Sequence, residues 1–543
     1  MVFARRSTTL LAAIIASCAM VLSLTACTSD NKTVVDGQTT VTSNSAGGVA
    51  VFTPSDGITL NQQTPLNKWA KLVPDLAKAL ADAGFKKGDI NHTTSDSLDK
   101  QSRAIQDFVV DHLSNNTTDD SGIAIAPDNM TLLVAPVVEA DASTRQYGDY
   151  VSQNLSTNDV TDEGATSDGE SSEDDSSKDD SSNTESDSTA SDEQAQAVDR
   201  LVSSLKLAKE SGMHVVLLGN SIEGYKPDAF VKFSDAQTIG KLQAEKMVSK
   251  LKLDKASKDN PKYIEVLLPY TAMDEKGNAN DSTFAQEAFR GIWQVLGSYY
   301  QKGVVESPSG TLDGKSTEND WQAVAYDAAK EGSTAKVLDK RLAKTDGQST
   351  LTRIDGIITM NDYIASEVVK ELDDLGYTGS AADINPQITI SGIVGNITGK
   401  KDLSRDAVPD PIKSPENDNA NDSSSSDDDA DEDTSASDKD RDSQWPLVTG
   451  YGAHVSNIPS IVNGKQWMTG MEDRQTIATD IAQACAKLNK DEALNSMPSI
   501  RNSEVGGVKK IPTISEPLLA VSASNLKSAL IDPGYISLAD AGL

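Results

Sequence analysis

From residue 48 onward, short apolar runs alternate with longer stretches whose apolar residues recur every three or four positions. Runs at 48–52, 132–138, 214–218, 263–268, 354–359, 388–391 and 446–449 predict buried strands. Stretches at 69–83, 100–113, 197–209, 284–296, 363–375 and 474–488 carry helical periodicity, with Leu72, Leu76 and Leu80 sharing one face of the first. Most of the strand runs are apolar at every position rather than alternating, as strands covered on both sides must be. Strand, helix, strand in this rhythm predicts an α/β fold built from doubly wound parallel sheets.

The pattern fails in three places. Residues 28–48 are rich in Thr, Ser, Asn and Gly and predict a flexible spacer. Between Asn158 and Gln194 there are 14 acidic residues and one lysine, and between Ser414 and Ser443 there are 12 acidic residues and two basic ones. These tracts account for −13 and −10 of the formal charge of −33, so the remainder carries only about −10. Too few apolar side chains lie in them to offset the entropy of ordering, which predicts disordered acidic insertions at 141–195 and 414–443. The folded part has no basic nucleic-acid footprint. At 543 residues the chain exceeds one compact core and suits two lobes. Its four histidines (His92, His112, His214, His454) are scattered, which gives a zinc site no support, and no cofactor is expected.

The N-terminus combines Arg5 and Arg6 with an apolar run at 10–24, too short for the roughly 20 residues that span a bilayer. Leu24-Thr25-Ala26-Cys27 then resembles a bacterial lipobox. The resemblance implies a signal peptide over 1–26, acylation of Cys27, and a mature chain tethered at the outer face of the cell membrane through spacer 27–48. Cys18 leaves with the signal, and Cys485, on a helical stretch, is expected as a small core residue.

Several further stretches resemble the type I periplasmic binding proteins of sugar transporters, in particular the xylose-, galactose- and multiple-sugar-binding group. They are Asn67-Lys68-Trp69-Ala70-Lys71, Val231-Lys232-Phe233-Ser234-Asp235, Ile354 to Asp362, Gly450-Tyr451-Gly452-Ala453-His454, Asn463 to Thr469, Asp473-Arg474 and Glu516-Pro517, in that order. The resemblance implies two doubly wound lobes joined by three hinge crossings: lobe one over 49–235 with a return at 470–515, and lobe two over 236–469 with the C-terminal segment 516–543. It also implies a ligand trapped between the lobes. Asn361 and Asp362 would accept from sugar hydroxyls, or serve as a helix N-cap. Lys68 and Lys71 would donate, and Trp69 would offer a flat face to a sugar ring or belong to the core. Trp321 lies near the position of a cleft tryptophan, whereas Trp293 reads as core and Trp445 and Trp467 are weaker candidates.

The departures bear on the cargo. Gly219-Asn220 stands where the family commonly has Asp-Arg, Gly452 where it has a carboxylate, and Glu472 where many members have a lysine. A buried Glu472 needs a donor or a proton, so the pocket differs from a xylose pocket. The expected function is therefore a monomeric, lipid-anchored carbohydrate-binding protein that delivers its solute to an ABC permease. The alternative is a sensory or adhesion-type receptor with an altered or lost pocket. No Ser-His-Asp ordering, metal cluster or phosphate loop argues for an enzyme. The acidic tracts are expected as solvated loops, or as an anionic fringe at the cleft.

Overall fold

A computed structural model describes residues 33–35, 38–40, 46–55, 65–115, 125–138, 144–157, 185–273, 280–328, 330–343, 351–381 and 445–543. The chain divides into two compact units, 1–44 and 45–543. In the first, β1 (Thr33–Val35) and β2 (Gln38–Thr40) pair antiparallel.

The second unit begins with β3 (Gly48–Pro54), α1 (Trp69–Asp82), β4 (Ile90–Ser95), α2 (Leu98–Asn115) and β5 (Met130–Val134). It continues through the two-residue β6 (Asn154–Leu155), α3 (Glu185–Glu210), β7 (His214–Leu218), β8 (Ser221–Ile222) and β9 (Ala229–Lys232). Strands β4, β3, β5, β7 and β9 lie side by side in that order, all parallel. Successive residues in them feed opposite cores. Val49, Val51, Leu133, Val216 and Val231 pack with α1, while Ala50, Phe52, Leu132, Leu217 and Phe230 pack with α2 and α3. Residues apolar at every position are what a sheet covered on both faces requires.

The chain then passes into a second sheet through α4 (Ala236–Leu251), β10 (Lys262–Val266), β11 (Leu268–Pro269), α5 (Thr283–Gln301) and β12 (Val305–Glu306). There follow α6 (Trp321–Val324), β13 (Ala325–Tyr326), α7 (Ser333–Arg341), β14 (Gly356–Ile358), α8 (Asp362–Leu375), β15 (Leu447–Val448), α9 (Ile458–Val462) and β16 (Met468–Met471). The strand order is β12-β10-β14-β15, again parallel, with β11 and β13 paired beyond it. Ile264, Ile358 and Leu447 face α4 and α5, and Ile357 and Val448 face α8. After β16 the chain returns to the first sheet with α10 (Arg474–Leu488), β17 (Ile500–Val505) and β18 (Val508–Ser515), then leaves again through β19 (Leu519–Ser522). β18 lies parallel to β9, and β17 closes that edge antiparallel. β16 and β19 run antiparallel from Met468↔Ser522 to Met471↔Leu519.

The architecture is thus α/β, two doubly wound parallel-sheet lobes with three chain crossings between them, at 233–235, 472–473 and 516–518. Two crossings end on a helix-capping aspartate. Asp235 accepts from Thr238 N at 2.7 Å and Asp473 from Thr476 N at 3.2 Å, caps that stabilise a helix start by about 1 kcal/mol each.

The run expected as strand to 138 ends at Val134, because Pro136 has no N–H for a central ladder. Helix α3 begins at Glu185, well before 197. The strand expected at 388–391 and the tract at 414–443 lie outside the described residues. The expectation of a disordered insertion over 141–195 needs correction at two places: 185–195 opens helix α3, and 144–157 is packed into the molecule. Tyr147, Tyr150, Val151 and Leu155 are buried there, and they supply the apolar area that the rest of the tract lacks.

Candidate functional site

The segments that follow the carboxyl ends of strands in both parallel sheets meet: Leu66 N, after β3, donates to Gly452 O, after β15, at 3.0 Å, and Asn361, after β14, reaches Gln146, after β5. Where β14 ends, Met360 holds left-handed backbone at φ 68°, and Ala453 after β15 does so at 49°. Such conformations cost about 1 kcal/mol or more in residues with a Cβ and collect at ligand clamps. Here Gln243 Nε2 donates to Met360 O at 2.9 Å, and Ala453 N donates to Thr469 Oγ1 at 3.1 Å.

Asn361 N-caps α8, accepting from Ile364 N at 2.9 Å, which leaves its Nδ2 for a second partner. Asp362, the next residue, is fully buried. Its Oδ1 accepts from Gln466 Nε2 at 2.7 Å, and its Oδ2 accepts from His454 N at 2.9 Å and Thr469 Oγ1 at 2.8 Å. Burial raises its pKa, while His454 and these donors pull the other way. His454 is itself pushed down by burial, and its Nε2 donates to Gln146 O at 3.2 Å. Asp362 was expected to accept from sugar hydroxyls. With three internal donors it instead ties the end of β14 to the segment from His454 to Thr469.

Glu472 sits on a crossing segment, 1 % exposed. Its Oε1 accepts from Ser234 N at 2.7 Å on another crossing and from Tyr451 OH at 3.3 Å, and Ser234 Oγ bonds the same tyrosine hydroxyl. Burial pushes its pKa up to about 7, against the lowering effect of those two partners. The donor that this carboxylate needs comes from the hinge, so Glu472 joins crossings rather than lining an open pocket.

The remaining candidates separate. Lys68 bonds Asp149 Oδ1 at 3.1 Å. Trp69 is 3 % exposed, edge-on to Tyr150 at 5.1 Å and to Phe233 at 5.7 Å, so its ring belongs to the core. Its backbone N donates to Asp149 Oδ2 at 3.0 Å. Asn220 is buried between Gln153 N, which donates to its Oδ1 at 3.0 Å, and Pro136 O, which accepts from its Nδ2 at 2.9 Å. Asn361 Nδ2 donates to Gln146 Oε1 at 3.0 Å. Gly452 has φ +112°, and a Cβ there would stand 3.1 Å from His454 Cδ2, so the family's carboxylate residue would fit only with strain. Trp321 is half-buried on lobe two, 5.2 Å from Tyr270 in an edge-on contact. Lys71 is exposed on α1, with its charge acting on Asp540 of the C-terminal segment.

Lys68, Trp69, Asn220 and Asn361 are therefore gathered by one stretch, 146–153, which the sequence reading had placed in an insertion. Tyr147 and Tyr150, spaced for one face of a turn, were the signal that could have found it. Among the described residues no group of three or more His, Cys, Asp or Glu side chains could hold a metal ion, and no helix is long and apolar enough to cross a membrane.

No protein-family model matches the chain, and no curated protein does. Solved structures do. One is an ABC transporter solute-binding protein from Clostridium phytofermentans with bound β-D-glucose: 16 % identity, 91 % of this chain and 99 % of that one, TM-score 0.44. Another is a carbohydrate transporter solute-binding protein from Chloroflexus aurantiacus in complex with D-glucose: 17 % identity, 92 % and 98 % covered, TM-score 0.43. A third is the periplasmic binding protein of an arabinose ABC transporter from Shewanella sp. ANA-3: 10 % identity, 88 % and 93 % covered, TM-score 0.39. At these values the assignment of fold rests on strand order and register.

Proposed function

We propose that this chain is the solute-capturing protein of a carbohydrate importer. In this reading it is tethered outside the cell through a lipid on Cys27 and hands its solute to an ABC permease. The observation that carries the reading is the three-crossing connection of two doubly wound lobes, with Lys68 from one and Asn361 from the other brought to the same stretch, 146–149. Such a frame closes on a ligand by hinge motion and does no covalent chemistry of its own. In this reading the solute is a small polyol, as D-glucose is in two of the solved structures named above. Lys68 and Asn361 are the donors that a sugar takes over, from Asp149 and Gln146 respectively, because charge-assisted and amide donors suit hydroxyl oxygens. Trp321 beside Tyr270 offers a further apolar face on lobe two.

A second reading has an observation of its own. The cleft donors are already engaged by the chain, which suits a receptor of the same fold whose pocket has been altered or lost. A thermal-shift screen over aldopentoses, aldohexoses, cyclic polyols and short oligosaccharides separates the two, since a ligand of the folded state alone raises the midpoint. A rise with any sugar supports capture, and none with any of them supports the altered receptor.

A further inference from the structure

We infer that residues 146–155 are a built-in clamp that holds the cleft shut and must withdraw before a solute enters. The stretch makes two independent sets of bonds. Toward lobe one, Asp149 N donates to Asn67 O at 2.8 Å, and the Asp149 carboxylate accepts from Lys68 Nζ and Trp69 N. Tyr150 stacks on Phe233 at 4.8 Å, and β6 pairs parallel with β8. Toward lobe two, Gln146 takes the side-chain amide of Asn361 and the ring of His454. Tyr147, 1 % exposed, lies 4.7 Å from Phe284 and 6.3 Å from Tyr451. Both Tyr147 and Val151 belong to the core of lobe two, although the chain on either side belongs to lobe one.

A loop that only decorated the surface would not bury two tyrosines in two different lobes. Withdrawing the clamp separates Gln146 and Tyr147 from Asn361 and Phe284, and Asp149 and Tyr150 from Lys68 and Phe233. Several of the contacts on both sides are hydrogen bonds to polar side chains that water can replace, which makes the closed arrangement reversible. A solute then binds only the fraction of molecules whose clamp is out, and its apparent Kd is weakened by that fraction. This last consequence rests on the carbohydrate reading, whereas the clamp itself does not.

Gly148 provides the test. Its φ is +97°, and a Cβ there would stand 2.5 Å from Asn67 O and 2.7 Å from Asn67 Cβ. Gly148→Val therefore levers the stretch off lobe one without leaving a cavity. Hydrogen exchange on the full chain is read at 66–69, 146–155, 283–289 and 451–457, and at the sheet cores around β5 and β14. The clamp predicts that the first four segments lose protection together while the cores keep theirs. Unchanged protection at 451–457 and 283–289 in a folded Gly148→Val chain overturns it, as does loss spread evenly over the cores. Should that variant not fold, Gln146→Ala with Tyr147→Ala gives the same reading from the lobe-two side, with the same two outcomes. Calorimetric titration with D-glucose and L-arabinose adds the functional arm. A clamp that leaves one molecule in ten competent predicts about tenfold tighter binding in Gly148→Val. Equal affinity in both chains overturns competition between clamp and solute. Segmental release with no sugar binding to either chain leaves the clamp standing and removes the carbohydrate reading.

Discussion

Replacing Glu472 by glutamine changes how the stability of this chain depends on pH, by an amount its burial sets. The carboxyl group is 1 % exposed, and its pKa is pushed from 4.5 up to about 7. A displacement of that size corresponds to roughly 3 kcal/mol at 1.36 kcal/mol per pH unit. The sign follows from proton binding. Between pH 4.5 and 7 the folded state keeps the Glu472 proton and the unfolded state has lost it, so stability falls as pH rises through this window. The contribution is whole below pH 4.5 and gone above pH 7. Glutamine keeps an oxygen for Ser234 N and carries no titrating proton. Urea unfolding of both chains at half-unit steps from pH 4.5 to 8.5 then shows the stability difference drifting in favour of Glu472→Gln by about 3 kcal/mol. A difference that stays flat across that range would refute the buried, protonated hinge carboxylate.

Three further outcomes follow from the same contacts. Asp362→Asn sets an amide N–H against one of three donors (Gln466 Nε2, His454 N, Thr469 Oγ1) and costs about 1–3 kcal/mol in chemical denaturation. A cost below about 0.5 kcal/mol would mean the caged carboxylate is absent. Trp69→Ala removes a ring packed against Tyr150 and Phe233 and lowers stability by about 3–5 kcal/mol, which a shift of the urea midpoint measures. A near-neutral result would return Trp69 to the role of sugar platform. Cys27→Ser is expected to move the expressed protein from the membrane fraction to the medium or periplasm, and retention on the membrane would rule out the lipid anchor.

What the sequence made legible follows from how local each cause is. Continuous apolar runs announced covered parallel strands, and Leu72, Leu76 and Leu80 marked the buried face of α1 as it stands in the structure. The capping role of Asn361 was readable because a cap depends on its own helix start. The fate of Asp362 was not, since two of its donors lie over 100 residues away, at Gln466 and Thr469. Asn220 likewise looked like a lost sugar contact, while its amide serves Gln153 and Pro136. The largest miss was 144–157. Composition averaged over 141–195 hid four buried side chains under many acidic ones, and only the placement of both lobes shows what Tyr147 and Tyr150 meet.

In the proposed function, the two lobes close around a small polyol. Isothermal calorimetry of the folded full chain and of Gly148→Val, against D-glucose, L-arabinose and myo-inositol in turn, tests this most directly. The account predicts saturable one-to-one heat with at least one of them, larger affinity in Gly148→Val, and a matching rise in thermal midpoint. Absence of heat with all three in both chains, each confirmed folded, would contradict it.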